Sequence, residues 1–274
     1  MIWFVGAGPG AEDLITVRGM RLLADADVII YAGSLVNPAL LSYARRDAGI
    51  YDSSRMTLEE IVAVMEQADA EGKNLVRLHT GEPSLYGAIR EQMDALDAKG
   101  IRYASCPGVS ACFGAAAELN LEYTLPEKSQ TLIIARMAGK TDVPETESIA
   151  SLAAHHASMA IYLSSGMLDR LSAELQKGGL SPDTPAVLFY KATWPDGQCF
   201  SCTVGTLAQT GAEHHITKTA VVLVGEVLGG PAHTRSKLYD PAFSTQFREA
   251  EVILTDPGSG AGSRTGAETE GGTS

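Results

Sequence analysis

The chain has 274 residues, enough for one large domain or two modest ones, each able to bury its own core. Its 21 Lys and Arg against 33 Asp and Glu leave a net charge of −12, which excludes the basic footprint that non-specific binding to nucleic acid or an anionic membrane needs. A hydrophobic content of 45% with 20% charged residues excludes wholesale disorder, and four cysteines are too few for a disulfide scaffold and fit a reducing compartment.

The opening Met1-Ile2-Trp3-Phe4-Val5-Gly6 lacks the basic flank and apolar run of a secretion signal, and Ile2 to Val5 reads as a buried strand. The small-residue joint Gly6-Ala7-Gly8-Pro9-Gly10 follows. Ile15, Leu22 and Leu23 then repeat at i, i+7 and i+8, the spacing of a helix. Val28-Ile29-Ile30-Tyr31 is the second strand. Thr57 and Glu60 are spaced as a capping box, and Ile61, Val64, Met65 and Ala68 form the apolar stripe of the helix behind it. Leu75 to Leu78 makes a third strand, and Leu85, Ile89 and Met93 mark a further helix. Strand–helix alternation with short Gly-rich joints predicts a mostly parallel sheet covered on both faces.

The second half differs in texture. Strand-like runs recur at 131–135, 159–163, 186–190, 199–204 and 220–224, and Asp196-Gly197 between two of them signals a hairpin. A mixed sheet and a second α/β domain, starting near Leu125-Pro126, are therefore expected. The organisation read from the chain is an α/β domain over 1–124, another over 125–232 and an extension over 233–274. From Thr255 onward 13 of 20 residues are Gly, Ser or Thr, so this tail is expected to be disordered. The most apolar stretches, such as Ala220 to Val224, fall far short of the roughly 20 residues of a membrane span. A soluble, cytoplasmic protein is expected.

Three joints could carry chemistry. In the first, backbone N–H groups and a helix N-terminus could face a ligand, but a dinucleotide site requires Gly where Ala11 stands and an acid where Tyr31-Ala32-Gly33 ends the second strand. The second is His79-Thr80-Gly81-Glu82-Pro83-Ser84-Leu85-Tyr86-Gly87, placed where ligands bind in open parallel sheets, outside the carboxyl ends of the strands. Pro83 suits the first turn of a helix, with Glu82 beside its positive end. The third, Pro107-Gly108-Val109-Ser110-Ala111, is followed by Gly114, Ala115, Ala116 and Ala117, which permit close approach. The alternative for the first joint is a tight turn that needs small residues, and for the second a capped helix start with no ligand. Together, three such joints at one sheet edge suggest a single cleft for a flat, partly apolar ligand.

Other candidates are weaker. Cys199 and Cys202 have zinc-like spacing without a second Cys/His pair nearby, and His155-His156 and His214-His215 read as surface pairs, so no metal site is expected. Neither a G-x-S-x-G elbow nor an H-E-x-x-H helix motif is present, which leaves hydrolase chemistry without an anchor.

Taken together, the Gly6–Gly10 joint, His79–Gly87, Pro107–Ser110 and the late Thr219-Ala220-Val221-Val222 strand resemble the tetrapyrrole (corrin/porphyrin) methyltransferase family over roughly residues 1–230. Tyr31-Ala32-Gly33-Ser34-Leu35-Val36 and Tyr190-Lys191-Ala192-Thr193-Trp194-Pro195-Asp196 resemble its branch that methylates carbon 11 of precorrin-4 in cobalamin biosynthesis. Glu82 departs from the pattern, since the family usually has Asp there, and the extra methylene shifts the reach of the carboxylate.

The resemblance implies two α/β domains with a ligand cleft between them, S-adenosylmethionine as methyl donor in that cleft, a small-molecule tetrapyrrole acceptor and a homodimer. By motif position, Pro9, Thr80, Gly81, Glu82, Leu85, Ser110 and Ala111 would line the donor pocket from the first domain, with Leu163, Ala192, Thr219 and Ala220 closing it from the second. The donor's sulfonium is already electrophilic, so the enzyme's task is to hold the methyl group in line with a ring carbon at about 3–3.5 Å. Glu82 and His79 are both placed to be considered for later proton loss, and the sequence assigns that role to neither.

The acceptor class carries several carboxylates, whereas the chain is strongly acidic, so local cations must gather at the cleft mouth. Arg18, Arg45, Arg46, Arg55, Arg136, Lys140 and Lys191 are the candidates, with Arg18, Arg55, Arg136 and Lys191 the leading ones. The alternatives are a family member acting on another ring carbon, a ribosomal RNA methyltransferase relative (disfavoured by the acidic charge), a nicotinamide-dependent oxidoreductase, or a binding module without turnover.

Overall fold

The alternation in the first half builds the sheet it implies. In the computed structural model, which describes residues 1–230 and 236–250, five strands pair in parallel throughout. They are β1 (Ile2–Gly6), β2 (Val28–Tyr31), β3 (Gly49–Asp52), β4 (Leu75–His79) and β5 (Tyr103–Cys106), in the order β3-β2-β4-β1-β5. The pleat sends alternate residues to opposite faces. Val5, Ile29, Val76 and Leu78 pack with Leu23 of α1 (Val17–Ala24) on one face. Ile2, Phe4, Ile30 and Leu75 pack on the other with Ile61 and Met65 of α2 (Leu58–Ala70) and Leu96 of α3 (Arg90–Asp97). Thr57 closes the capping box at the start of α2: its Oγ1 accepts the Glu60 N–H at 3.3 Å, and Glu60 accepts the Thr57 N–H at 2.8 Å.

The second sheet is mixed, as expected. Its strands are β6 (Leu132–Arg136), β7 (Ser158–Tyr162), β8 (Pro185–Tyr190), β9 (Gln198–Thr203) and β10 (Ala220–Val224), ordered β6-β7-β10-β8-β9. Only β6 and β7 pair in parallel. Three helices, α5 (Ile149–Ala153), α6 (Leu168–Lys177) and α7 (Leu207–Glu213), cover one face through Ile149, Leu171, Leu175 and Leu207. The opposite face receives a helix from the first half of the chain. Cys112, Ala115 and Ala116 of α4 (Ala111–Leu119) pack with Ala160, Val187, Phe189 and Leu223. Both sheets lie in one compact unit, Met1–His233.

Residues 234–274 form a second unit. Its described part has a short 3-10 turn at Lys237–Tyr239 and a bridge between Thr245 and Arg248, whose guanidinium donates to the carbonyls of Leu238, Asp240 and Phe243. The tail expected to be disordered from about residue 255 lies outside the described residues. No helix among the described residues is long and apolar enough to cross a membrane.

Three local readings differ from the structure. Strands β3 and β5 carry no strong apolar run, since they are edge strands with mostly half-buried or exposed residues. Ile15 precedes α1 rather than lying in it. The helix expected over Leu85, Ile89 and Met93 starts only at Arg90, because Tyr86 and Ala88 sit at φ +59° and +48°, outside helical space. Pro83 therefore opens no helix, and Glu82 meets no helix dipole. The Asp196-Gly197 pair ends a longer connection, residues 191–197, between antiparallel β8 and β9.

Candidate active site

Strands β4, β1 and β5 are neighbours, so the three small-residue joints leave the sheet side by side. They pack backbone on backbone. A Cβ on Gly6 would stand 2.5 Å from the Gly108 Cα, and one on Gly108 would overlap the Gly81 carbonyl and approach the Gly6 Cα to 2.7 Å. The Gly81 N–H donates to the Gly8 carbonyl at 2.8 Å, and the Ala7 N–H to the His79 carbonyl at 2.7 Å. Glycine is required here by close approach between turns.

In the first joint most of the N–H groups that its sequence offers are already taken. The N–H groups of Ala7 and Gly8 are taken by neighbouring turns, Pro9 has none, and Ala11 N–H donates to Thr193 Oγ1 at 2.9 Å. A 3-10 turn, Glu12–Leu14, follows before α1 begins. The Pro9 carbonyl accepts from Trp194 Nε1 at 3.1 Å, and the Gly10 carbonyl from Asn37 Nδ2 at 2.9 Å. Side chains from the β8–β9 connection and from the loop after β2 therefore hold this turn.

Glu82 joins the second and third turns. Its carboxylate accepts the Ser84 N–H at 2.9 Å and the Gly108 N–H at 2.8 Å. Partial burial acts to raise its pKa, but these N–H bonds outweigh it and hold the carboxyl below its ordinary range. Ser110 directly precedes α4, yet its hydroxyl bonds Tyr162 Oη at 2.7 Å instead of capping the helix. Tyr162 Oη also accepts the Cys112 N–H at 2.8 Å, and burial foremost pushes its pKa well up. His79 is buried, stacks against Phe4 with ring centroids 6.1 Å apart, and its Nε2 has no hydrogen-bond partner among the described residues. Burial, helped by the Arg77 charge, lowers its pKa to about 3, so the ring is neutral near pH 7.

Two adjoining cavities open above these turns. The smaller, about 170 Å³, is lined by Pro9, Thr80, Ala111, Leu163, Ala192, Thr219 and Ala220 among the residues singled out from sequence, with Tyr162, Phe189 and Val221 adding apolar wall. Gly81, Glu82, Leu85 and Ser110 do not line it; the first two and Ser110 shape the turns beneath it through the contacts above. The larger cavity, about 780 Å³, is bounded by Gly33, Ser34, Val36, Met167, Thr217 and Lys218. Leu35, Leu163, Ser165, Lys191, Trp194 and Thr219 line both. Leu163, Lys191 and Thr219 in this common rim have φ of +54°, +48° and +57°, and strained non-glycine backbone of this kind concentrates at ligand sites.

The cations distribute unevenly. Lys191 lines both cavities; its Nζ bonds Asp196 Oδ2 at 2.5 Å and lies 5.2 Å from the centroid of the Trp194 ring. Arg18 and Arg55 line neither cavity. Arg136 does not either, since its guanidinium donates to the carbonyls of Met137, Thr141 and Asp142 in its own loop. Lys218, which no sequence pattern marks, lines the larger cavity and has no ion-pair partner among the described residues. Tyr162, Trp194 and Lys218 are among the rim and wall residues that motif reading did not single out as site residues.

A sheet with three backbone-packed joints beneath a two-part cleft defines the fold of a known family. Residues 1–208 match the family of Tetrapyrrole (Corrin/Porphyrin) Methylases, and the chain belongs to it. Over 246 residues it is 48% identical to a cobalt-precorrin-4 C(11)-methyltransferase of Methanocaldococcus jannaschii, covering 90% of this chain and 95% of that protein. It is 43% identical over 245 residues to a precorrin-4 C(11)-methyltransferase of Mycobacterium tuberculosis, covering 88% and 96%. A solved cobalt precorrin-4 methyltransferase, described as a cobalamin biosynthetic enzyme, superposes with a TM-score of 0.81 at 43% identity, covering 84% of this chain and 96% of that one.

Proposed function

We propose that this chain is an S-adenosylmethionine-dependent C-methyltransferase that adds a methyl group to carbon 11 of precorrin-4, or of its cobalt-bearing form, in cobalamin biosynthesis. Family membership and similarity along nine-tenths of the chain to enzymes bearing that activity support the reading. The observation that carries it is the pair of cavities sharing one rim. A compartment of about 170 Å³ is below the roughly 300–1,000 Å³ of whole-ligand sites, so it takes part of a nucleoside-sized donor and leaves the remainder at the rim. The larger cavity, at about 780 Å³, suits a macrocycle.

The residues present fit such a donor. Ala111, Phe189, Ala192 and Val221 offer the apolar walls that an adenine ring needs, and the left-handed turns at Leu163 and Thr219 present backbone polar groups beside them. The bound donor supplies an activated sulfonium methyl. A donor held there would give up its methyl group as the new carbon–carbon bond formed, with the carbon–sulfur electron pair staying on sulfur and the positive charge passing to the macrocycle. Leu35 and Leu163, exposed apolar side chains on the common rim, would be covered by ligands that fill the two cavities. Lys191, paired with Asp196, and Lys218 face the cavity where the acceptor's carboxylates lie. Arg18, Arg55 and Arg136 are left to roles outside the first contacts with the acceptor.

On this reading residues 1–124 and 125–232 act as two α/β domains closing on the ligands, and the active form is a cytoplasmic homodimer. Incubation of the purified protein with S-adenosylmethionine and precorrin-4, or cobalt-precorrin-4, followed by mass spectrometry and NMR of the product, tests the activity. One added methyl at carbon 11 is expected; methylation of another carbon, or no turnover with either acceptor, rejects the assignment. Light scattering of the eluted protein checks the dimer.

A further inference from the structure

We propose that Trp194 is a positioning residue that fixes the Pro9–Ala11 turn and thereby ties the donor compartment to the acceptor cavity. The inference rests on the functional reading above. Three observations on this turn converge. The indole Nε1 donates to the Pro9 carbonyl at 3.1 Å, and the same ring fills the space above Gly10, where a Cβ would stand 2.6 Å from Nε1. The preceding residue, Thr193, accepts the Ala11 N–H at 2.9 Å from a backbone held at φ +68°. A third anchor comes from Asn37, whose Nδ2 donates to the Gly10 carbonyl at 2.9 Å. Three consecutive residues of the turn are thus each gripped by a side chain from outside it.

The grip reaches the ligands on both sides. Pro9 lines the smaller cavity, and Trp194 lines both. The indole face also carries the Lys191 ammonium, 5.2 Å from the ring centroid, and Lys191 is itself on the common rim. An acceptor carboxylate that draws Lys191 toward the larger cavity therefore alters the contact on the ring whose Nε1 holds Pro9. Pro9 is packed in turn against α4: a Cβ on Gly114 would stand 2.8 Å from the Pro9 ring and 3.1 Å from Thr193 Cγ2. The turn has no spare room, so its position follows Trp194.

Calorimetric titration with S-adenosylhomocysteine, alongside urea unfolding, tests the proposal in the full chain. W194F keeps an aromatic ring but removes the N–H, and T193V keeps the shape but removes the acceptor for Ala11. Loss of one hydrogen bond predicts about three- to tenfold weaker binding for each. For W194F, the donor KM is expected to rise by a similar factor while kcat at saturating donor falls less. Fluorescence supplies a readout that needs no site variant. The chain has two tryptophans, so W3F, on β1 and away from both cavities, leaves Trp194 as the sole indole, and saturating S-adenosylhomocysteine should shift its emission. Unchanged affinity in W194F and T193V, or unchanged Trp194 emission on saturation, overturns the proposal. Failure of the unsubstituted protein to bind S-adenosylhomocysteine rejects the functional reading itself, and the positioning role falls with it.

Discussion

Glu82 Oε2 accepts the backbone N–H of Gly108 across 26 residues of sequence at 2.8 Å, and so one side chain locks the turn after β4 to the turn after β5. Its other oxygen, Oε1, holds the Ser84 N–H at 2.9 Å.

Removing that clip exposes its role. E82A leaves the Gly108 N–H without its acceptor and should lower stability by about 2 kcal/mol, read from urea unfolding. The pH dependence has a definite sign. The folded carboxyl lies below its ordinary 4.5, so the native state holds fewer protons than the unfolded chain, and the contribution present above pH 4.5 is lost as the pH falls through the folded value. E82Q should remove that part of the acid dependence.

Gly108 admits no side chain. G108A would drive a methyl group into the Gly81 carbonyl and the Gly6 Cα, and a loss of about 3 kcal/mol is expected from such overpacking. Gly72 provides the control, because its Cβ would meet nothing within 4 Å and only its φ of +66° resists alanine. G72A should cost about 1 kcal/mol. Equal losses in the two variants would argue against backbone packing as the cause.

Tyr162 serves two donors or partners at once. Y162F removes the acceptor for the Cys112 N–H and the partner of Ser110, so it should cost about 1–3 kcal/mol in urea unfolding. S110A leaves the Cys112 bond intact and should cost about 1 kcal/mol or less. The reverse order would show that Ser110 alone anchors this corner.

His79 makes the acid side of the stability curve steep. Its pKa falls from an ordinary 6.5 to about 3 on folding, so the unfolded chain binds the extra proton between those values and stability drops as the pH falls below 6.5. The slope from this one group approaches about 1.4 kcal/mol per pH unit. H79F fills the same space without a titrating nitrogen, and its unfolding free energy measured from pH 7 to 4 should fall less steeply than that of the unsubstituted protein.

Lys218 lines the larger cavity and has no ion-pair partner among the described residues. K218A should raise the acceptor KM about fivefold, in keeping with about 1 kcal/mol for an exposed charge pair, while donor affinity stays unchanged. K218E should raise it further through repulsion. R18A and R55A serve as comparisons, since neither arginine lines the cavity, and the acceptor KM should hardly move in them.

Eight of the ten strands, helices α1 and α2 and the three joints could be read from the chain because periodicity, capping and glycine placement are properties of neighbouring residues. Thr57 and Glu60 sit three apart, and Leu75 to Leu78 adjoin. Weakly apolar edge strands such as β3 escape that reading, because an exposed strand needs no hydrophobic alternation. What the Gly-rich joint does was settled only by closure of the chain. Ala11 finds its acceptor in Thr193, 182 residues away, and that single contact turns an apparent anion cradle into a turn with its N–H already taken. The same holds for charge: Arg136 looks available in the sequence, and its own loop's carbonyls occupy it, whereas Lys218 carries no pattern and stands on the cavity wall. Composition and spacing fix which groups exist and which local elements form; which donors remain unpaired, and which cations face the same space, depends on distances between segments far apart in sequence.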